Sequence, residues 1–157
     1  VKAKEMNTDI LFANGFFADG VMTIRAAKAL DYNPRAIVQG VGSVIPAWIK
    51  ELGEDGDHVF SGTSLHNKLN YPGNDRLNAY IKKEYNLPGY PVYFGFGYCW
   101  MQTLSQGVEG ARSLEQTEIR DWLKSNTVKT IAGPMTFDKR GLPAPINFCT
   151  QIINGQV

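Results

Sequence analysis

The first third of the chain alternates short apolar runs with segments of helical period. Residues 9–13 end in ILFA, an apolar run that suits a strand buried on both faces. Over residues 18–30, Val21, Ile24, Ala27 and Leu30 recur at steps of three, with Arg25 and Lys28 on the opposite side. That spacing predicts an amphipathic helix. Pro34 closes the connection, and residues 35–39 form a second apolar strand. Pro46 suits the first turn of a further helix, whose apolar side is Ala47, Trp48, Ile49 and Leu52 and which Gly53 ends. His58 to Gly62, HVFSG, gives a third strand. Residues 9–62 thus spell β-α-β-α-β, which implies a parallel sheet with right-handed crossovers.

The pattern changes after residue 62. Residues 64–73 are polar and turn-rich, as a linker is. Residues 74–85 predict a helix with Leu77, Tyr80, Ile81 and Tyr85 inward. A long aromatic helix follows over 92–110, where positions 93, 96, 97 and 100 share a face expected to be core. Ser113 is the expected N-cap of a helix over 114–124, with Glu115 and Glu118 in its first turn. Residues 128–137 are extended or irregular, and residues 138–141 form a turn. A last strand is expected over 146–153, closed by Asn154-Gly155.

Composition narrows the function classes. The 157 residues are 43% hydrophobic and 20% charged, ordinary for a globular chain with a core. A net charge of +1, with no run of more than two basic residues, gives no field to draw nucleic acid. No apolar stretch reaches the length of a membrane span. The opening VKAKEMNTD reads as the end of a helix, which suggests a fragment or a mature product. Cys99 and Cys149 are expected as a buried pair of free thiols rather than a disulfide, and His58 and His66 do not cluster with them. No metal site and no cofactor is expected.

Function is to be sought at the loops that leave the carboxyl ends of the first two strands, since ligands of open parallel sheets bind there. The first loop carries Phe16 and Phe17: one ring can face a ligand while the other packs below. Neither has a hydroxyl, so both offer only apolar or stacking contact. Asp19 is a ligand contact or a plain acid of the helix N-terminus. The second loop is Gly40, Val41, Gly42 and Ser43. A strand followed by GxG falls short of a dinucleotide fingerprint, because Ile45 holds the third glycine position and no strand-end acid follows. Backbone N–H groups and Ser43 could still hold a carboxylate or hydroxyl. The aromatic set Tyr93, Phe94, Phe96, Tyr98 and Trp100, together with Tyr71 and Trp48, is expected to pack rather than bind. There is no nucleophile-base-acid set and no Walker motif.

The order of DILFANGFFADGVMTIRAAKALDY, PAWIKELG, YPGNDRLNAYIKKEYNLPGYPVYFGFGY, SLEQTEIRDWLKSN, GPMTFDKRG and QIINGQ resembles the C-terminal half of the leucine/isoleucine/valine-binding (type I periplasmic) solute-binding proteins of ABC transporters. The resemblance implies an α/β fold: a three-layer αβα, Rossmann-like parallel sheet, present as parts of two lobes that hold a ligand between them. It maps residues 1–62 to the second lobe, 63–143 to the returning part of the first, and 144–157 to a strand back to the second. It implies a small-molecule ligand, a membrane permease as partner, a periplasmic location and no catalysis. The absent half would leave sheet edges and apolar helix faces uncovered, so pairing with that half, or self-association, is expected. In amino-acid-binding relatives the first loop carries aromatic ligand contacts and the second an acid for the ligand ammonium. This chain has no acid there, which favours a small carboxylate with an apolar or aromatic body over a branched-chain amino acid. A ligand-sensing domain of a receptor, or a Rossmann-like enzyme, are the other classes this fold admits.

Overall fold

The computed structural model describes residues 1–144 and 147–157. In chain order the elements are α1 (Lys2–Glu5), β1 (Ile10–Ala13), α2 (Phe17–Ala29), β2 (Ala36–Gln39), α3 (Ala47–Leu52), β3 (Phe60–Thr63), α4 (Asn74–Tyr85), α5 (Val92–Ala111), α6 (Gln116–Ser125), β4 (Val128–Thr130), β5 (Gly133–Met135) and β6 (Phe148–Gln151). They fall into two units: residues 1–63 with 148–157, and residues 64–147.

The first unit is one sheet in the order β1-β2-β3-β6, with β1, β2 and β3 parallel and β6 antiparallel to β3. Strands that step in one direction through right-handed crossovers put both helices on the same face. The core is on that face: Val21 and Ile24 of α2 and Trp48 and Leu52 of α3 pack with Val59 and Ile152, and Ile37 of β2 lies against them. Trp48 is fully buried, and its indole Nε1–H donates to the Gly56 carbonyl at 2.9 Å. That bond spares a buried donor the cost of going unpaired. The turn at Asn154-Gly155 has positive φ at both residues and bridges Ile153 to Gln156, as a tight hairpin requires.

The other face is open. Ile10 and Phe12 are 62% and 65% exposed, and across the sheet Phe12 stands opposite Val38 and Val38 opposite Phe60. β1 is therefore an edge strand with one bare apolar face, not the doubly buried strand its sequence suggests. An apolar run shows that a face needs cover; it does not show that the same chain supplies it. Cys149, on the edge strand β6, is exposed, and Cys99 is buried in the other unit, so the two free thiols are not a buried pair.

In the second unit the core is Leu65, Leu77, Ile81, Tyr90, Cys99, Ile131 and Ala132. Asn78 and Tyr90 pin the polar segment before α4: Asn78 Nδ2 donates to Asn67 O, and the Tyr90 hydroxyl donates to His66 O. Burial pushes the Tyr90 phenol up to about 12, so it remains a donor. Three helix readings change. On α4, Tyr80 and Tyr85 lie at the surface, where Tyr85 meets Tyr80 and Phe94 edge-on. On α5, the buried side runs through Gly95, Cys99 and Gly107, while Tyr93 and Trp100 are exposed. α6 begins at Gln116 rather than 114, with Ser113 Oγ accepting the Glu115 N–H in the turn before it. Residues 128–135 form a short β4–β5 hairpin. The expected start of the last strand at Ile146 lies outside the described residues.

Two outcomes follow from this packing. Trp48→Ala removes the largest buried ring of the first unit and should lower unfolding stability by about 3–5 kcal/mol, against about 1 kcal/mol for Trp48→Phe, which keeps most of the packing and loses the donor. Equilibrium denaturant unfolding followed by circular dichroism separates the two. His66 should titrate below its ordinary 6.5, because burial and then the Lys68 charge both disfavour the imidazolium, and its Nδ1 accepts the Lys68 N–H. Its contribution to stability is then fully present above pH 6.5 and is lost as pH falls through the lower folded value. An NMR titration of the ring tests this; a midpoint at or above 6.5 contradicts it.

Candidate ligand-binding site

The loops after β1 and β2 lie side by side because their strands do. The ladder runs one bond past the strands, from Gly40 N–H to Ala13 O at 3.1 Å. Gln39, the buried last residue of β2, donates from Nε2 to Gly15 O at 2.9 Å and so ties the second strand to the first loop. From the other side, Ser61 Oγ donates to Gly40 O at 2.7 Å.

The closest approach is at Gly42, in the 3-10 turn Val41–Val44. A Cβ on Gly42 would stand 2.7 Å from both N and Cα of Phe17 and 2.9 Å from the carbonyl carbon of Phe16. These are backbone atoms and cannot rotate away. The absence of a side chain at 42 is therefore what lets the two loops touch.

The interlock sorts the candidate residues. Phe16 is 71% exposed, while Phe17 opens α2 and lies against the core of the first unit. Asp19 Oδ2 accepts the Phe16 N–H at 3.1 Å, which makes this acid part of the first turn of α2. Gly40 and Gly42 present only backbone. Ser43 is enclosed at 1% exposure, and its hydroxyl has no hydrogen-bond partner among the described residues, so it does not face outward for a ligand. Val41 is 47% exposed. Of the named residues, Phe16 and Val41 thus offer apolar side chains to solvent, one from each loop.

Concavities elsewhere have a different character. One of about 680 Å³ in the first unit lies toward the opposite ends of β2 and β3, lined by charged groups such as Lys28, Asp31, Arg35 and Asp55. Lys28 and Asp55 pair with each other there at 2.5 Å. In the second unit an apolar groove of about 600 Å³ runs past Phe96, Trp100, Leu123, Met135 and Phe137. It is the bare side of a core, with few polar groups to orient a solute. Among the described residues no group of His, Cys, Asp and Glu could hold a metal ion, and no helix is long and apolar enough to cross a membrane.

Comparison with known proteins places this geometry. The profile of a family described as periplasmic binding protein matches residues 1–146. The chain belongs to that family. It is 26% identical over 141 residues to the Leu/Ile/Val-binding protein of Escherichia coli strain K12, covering 89% of this chain and 37% of that protein. A leucine-binding protein from Thermotoga maritima superposes with a TM-score of 0.85 at 21% identity, over 98% of this chain and 44% of that one. A solute-binding protein of an ABC transporter from R. palustris, solved with benzoate, gives 0.79 at 14% identity, over 99% and 43%. The type I periplasmic binding protein fold is thereby established, and this chain spans little more than a third of the length of the curated relatives it matches. Of these, the E. coli protein is named for binding leucine, isoleucine and valine, and the R. palustris protein was solved with benzoate.

Within the family fold, Gln39 and Ser61 hold the loops and neither stood out in the sequence. The available signal was a polar residue within each of two apolar strands, Gln39 at the end of β2 and Ser61 inside β3, where a buried polar group needs a partner. Gly42→Ala should lower stability by about 1–3 kcal/mol through overpacking against Phe17. Phe16→Ala, at an exposed position, should stay within about 0.5 kcal/mol. Thermal unfolding of the two variants side by side checks the contrast; equal losses would contradict the interlock.

Proposed function

We propose that this chain is the later part of an extracytoplasmic solute receptor of an ABC transporter, and that its first unit supplies the contacts to the ligand's apolar body. The observation that carries the reading is the pair of interlocked loops at the carboxyl ends of β1 and β2, with Phe16 and Val41 outward. Phe16, Phe17, Asp19 and residues 40–43 are the proposed ligand segment. Phe16 supplies direct contact, Phe17 and Gly42 set its position, and Asp19 caps the helix beneath it.

The ligand proposed is a small carboxylate with an apolar or aromatic body. Residues 14–19 and 40–46 contain one charged residue, Asp19, whose Oδ2 accepts the Phe16 N–H. A buried ammonium without a countercharge is costly, whereas a hydrocarbon or ring gains about 25 cal/mol per Å² of apolar surface removed from water. The benzoate-bound relative shows that the fold serves such a ligand in another protein. The domain assignment follows: residues 1–62 and the last strand to the second lobe, residues 63–143 to the first. The bare sheet face at Ile10 and Phe12 and the open side of α5 at Trp100 and Met101 support pairing with the rest of the receptor, or self-association. A periplasmic receptor of this kind would deliver its solute to a membrane permease.

The test is a thermal-shift screen of the full-length natural protein with leucine, valine, benzoate and hydrocinnamate. A ligand at a hundred times its dissociation constant adds about 2.7 kcal/mol of stability. Stabilisation by a carboxylate, weakened roughly tenfold or more by Phe16→Ala, is the expected result, since the ring contributes about 1.5–3 kcal/mol when fully covered. Stabilisation by leucine or valine alone would restore a branched-chain amino acid as the ligand. Undiminished binding by Phe16→Ala would overturn the site.

A further inference from the structure

The chain holds two Asn-Gly pairs, Asn14-Gly15 in the loop after β1 and Asn154-Gly155 in the turn after β6. Asparagine before glycine is a labile amide, because glycine has no side chain to keep its nitrogen away from the asparagine amide carbon. The sequence does not rank the two pairs, but their surroundings do. At Asn154-Gly155 the peptide is held from both sides. Ile153 N–H donates to Gln156 O at 2.8 Å and Gln156 N–H to Ile153 O at 3.1 Å, which closes the turn around the pair. The Gly155 N–H itself donates to Asp57 Oδ1 at 2.8 Å. That nitrogen reaches Asn154 Cγ only when the bond to Asp57 and the turn have opened.

At Asn14-Gly15 these holds are missing. Asn14 is exposed, and among the described residues neither its side chain nor the Gly15 N–H makes a hydrogen bond. The Gly15 carbonyl is tied to Gln39 Nε2 at 2.9 Å, so the far end of the peptide is anchored while its nitrogen is free. The glycine is also imposed by packing: a Cβ at residue 15 would stand 2.7 Å from Asp19 Cβ. The first turn of α2 thus supplies the neighbour that makes residue 14 reactive.

We propose that Asn14 is a site of spontaneous deamidation, and that Asp57 and the closed turn protect Asn154. The Gly15 nitrogen gives its proton to hydroxide and attacks Asn14 Cγ. The N–Cγ bond forms, the Cγ–Nδ2 bond breaks, and the amide leaves as ammonia after taking a proton from water. Water then opens the succinimide at either carbonyl, giving aspartate or isoaspartate. The net change consumes water and releases ammonia, with nothing oxidised or reduced. Isoaspartate adds a methylene to the main chain between Ala13 and Gly15. Gln39 holds Gly15 O, and Gly42 meets the Phe16–Phe17 backbone, so the interlock of the loops has to absorb the added length. This inference stands whether or not the loops take a solute.

The full-length natural protein is aged in mildly alkaline buffer, and peptide mapping by mass spectrometry follows conversion of amide to carboxyl at residues 14 and 154. In native buffer Asn14 should convert, and Asn154 should lag by roughly tenfold or more, because the bonds that must open add to its barrier. In urea, where neither pair is held, the two rates should draw level. Asn14→Gln, which would have to close a larger ring, should stop the native conversion. The aged natural protein should melt at a lower temperature than fresh protein, and aged Asn14→Gln should not. Native conversion of Asn154 as fast as Asn14, a native difference that persists in urea, or conversion of Asn14 in urea alone would overturn the assignment. Equal losses of melting temperature in the natural protein and Asn14→Gln would overturn the link to the interlock.

Discussion

The contact between the Gly42 turn and the backbone of Phe16 and Phe17 is the constraint on which the site depends. Two neighbouring parallel strands bring their following loops within reach of each other, yet side chains normally keep such loops apart. Here the second loop omits them at 40 and 42, and Gln39 adds a hydrogen bond from beneath to Gly15 O. The first loop then has a fixed seat. Its two rings are divided between the core and the solvent as a result: α2 begins at Phe17, so Phe17 turns toward Val21 and Ile24, and Phe16 is left outside.

The same sheet explains the bare surfaces. Stepping β1-β2-β3 in one direction stacks α2 and α3 on one face, with Trp48 at the centre. On the opposite face Phe12, Val38 and Phe60 stand side by side, and Ile10 and Phe12 are exposed. Apolar surface of this kind is rarely left open on a soluble protein. The relatives are more than twice as long as this chain, which accords with an open face and an open edge at β1.

Much of the fold was legible in the sequence because its helices obey their period. Val21, Ile24 and Ala27 are spaced as a buried face and are buried, while Leu30, the last of that row, is the C-cap of α2 and lies exposed. Pro46 and Gly53 punctuate α3 where expected. The errors on α5 and β1 share one cause. Tyr93 and Trp100 are spaced as a core face of α5, but spacing reports that a face is apolar, not that anything in the chain covers it. Ile10 and Phe12 misled in the same way. For the site, the glycine-bearing loops could be located from the strand pattern alone. Their inner order could not: that Ser43 turns in, that Val41 turns out, and that Gln39 is the tie are consequences of one close backbone approach, which leaves only the glycines as its trace.

The central claim is that a solute lands on the loops after β1 and β2. Hydrogen–deuterium exchange of the full-length natural protein, with and without saturating isocaproate, tests this most directly. The account predicts slowed exchange in residues 14–19 and 40–44. It predicts no change in residues 31–36 and 54–58, which line the charged cavity toward the opposite ends of β2 and β3. Protection confined to that cavity, or to the apolar groove past Phe96 and Phe137, with the two loops unchanged, would contradict it.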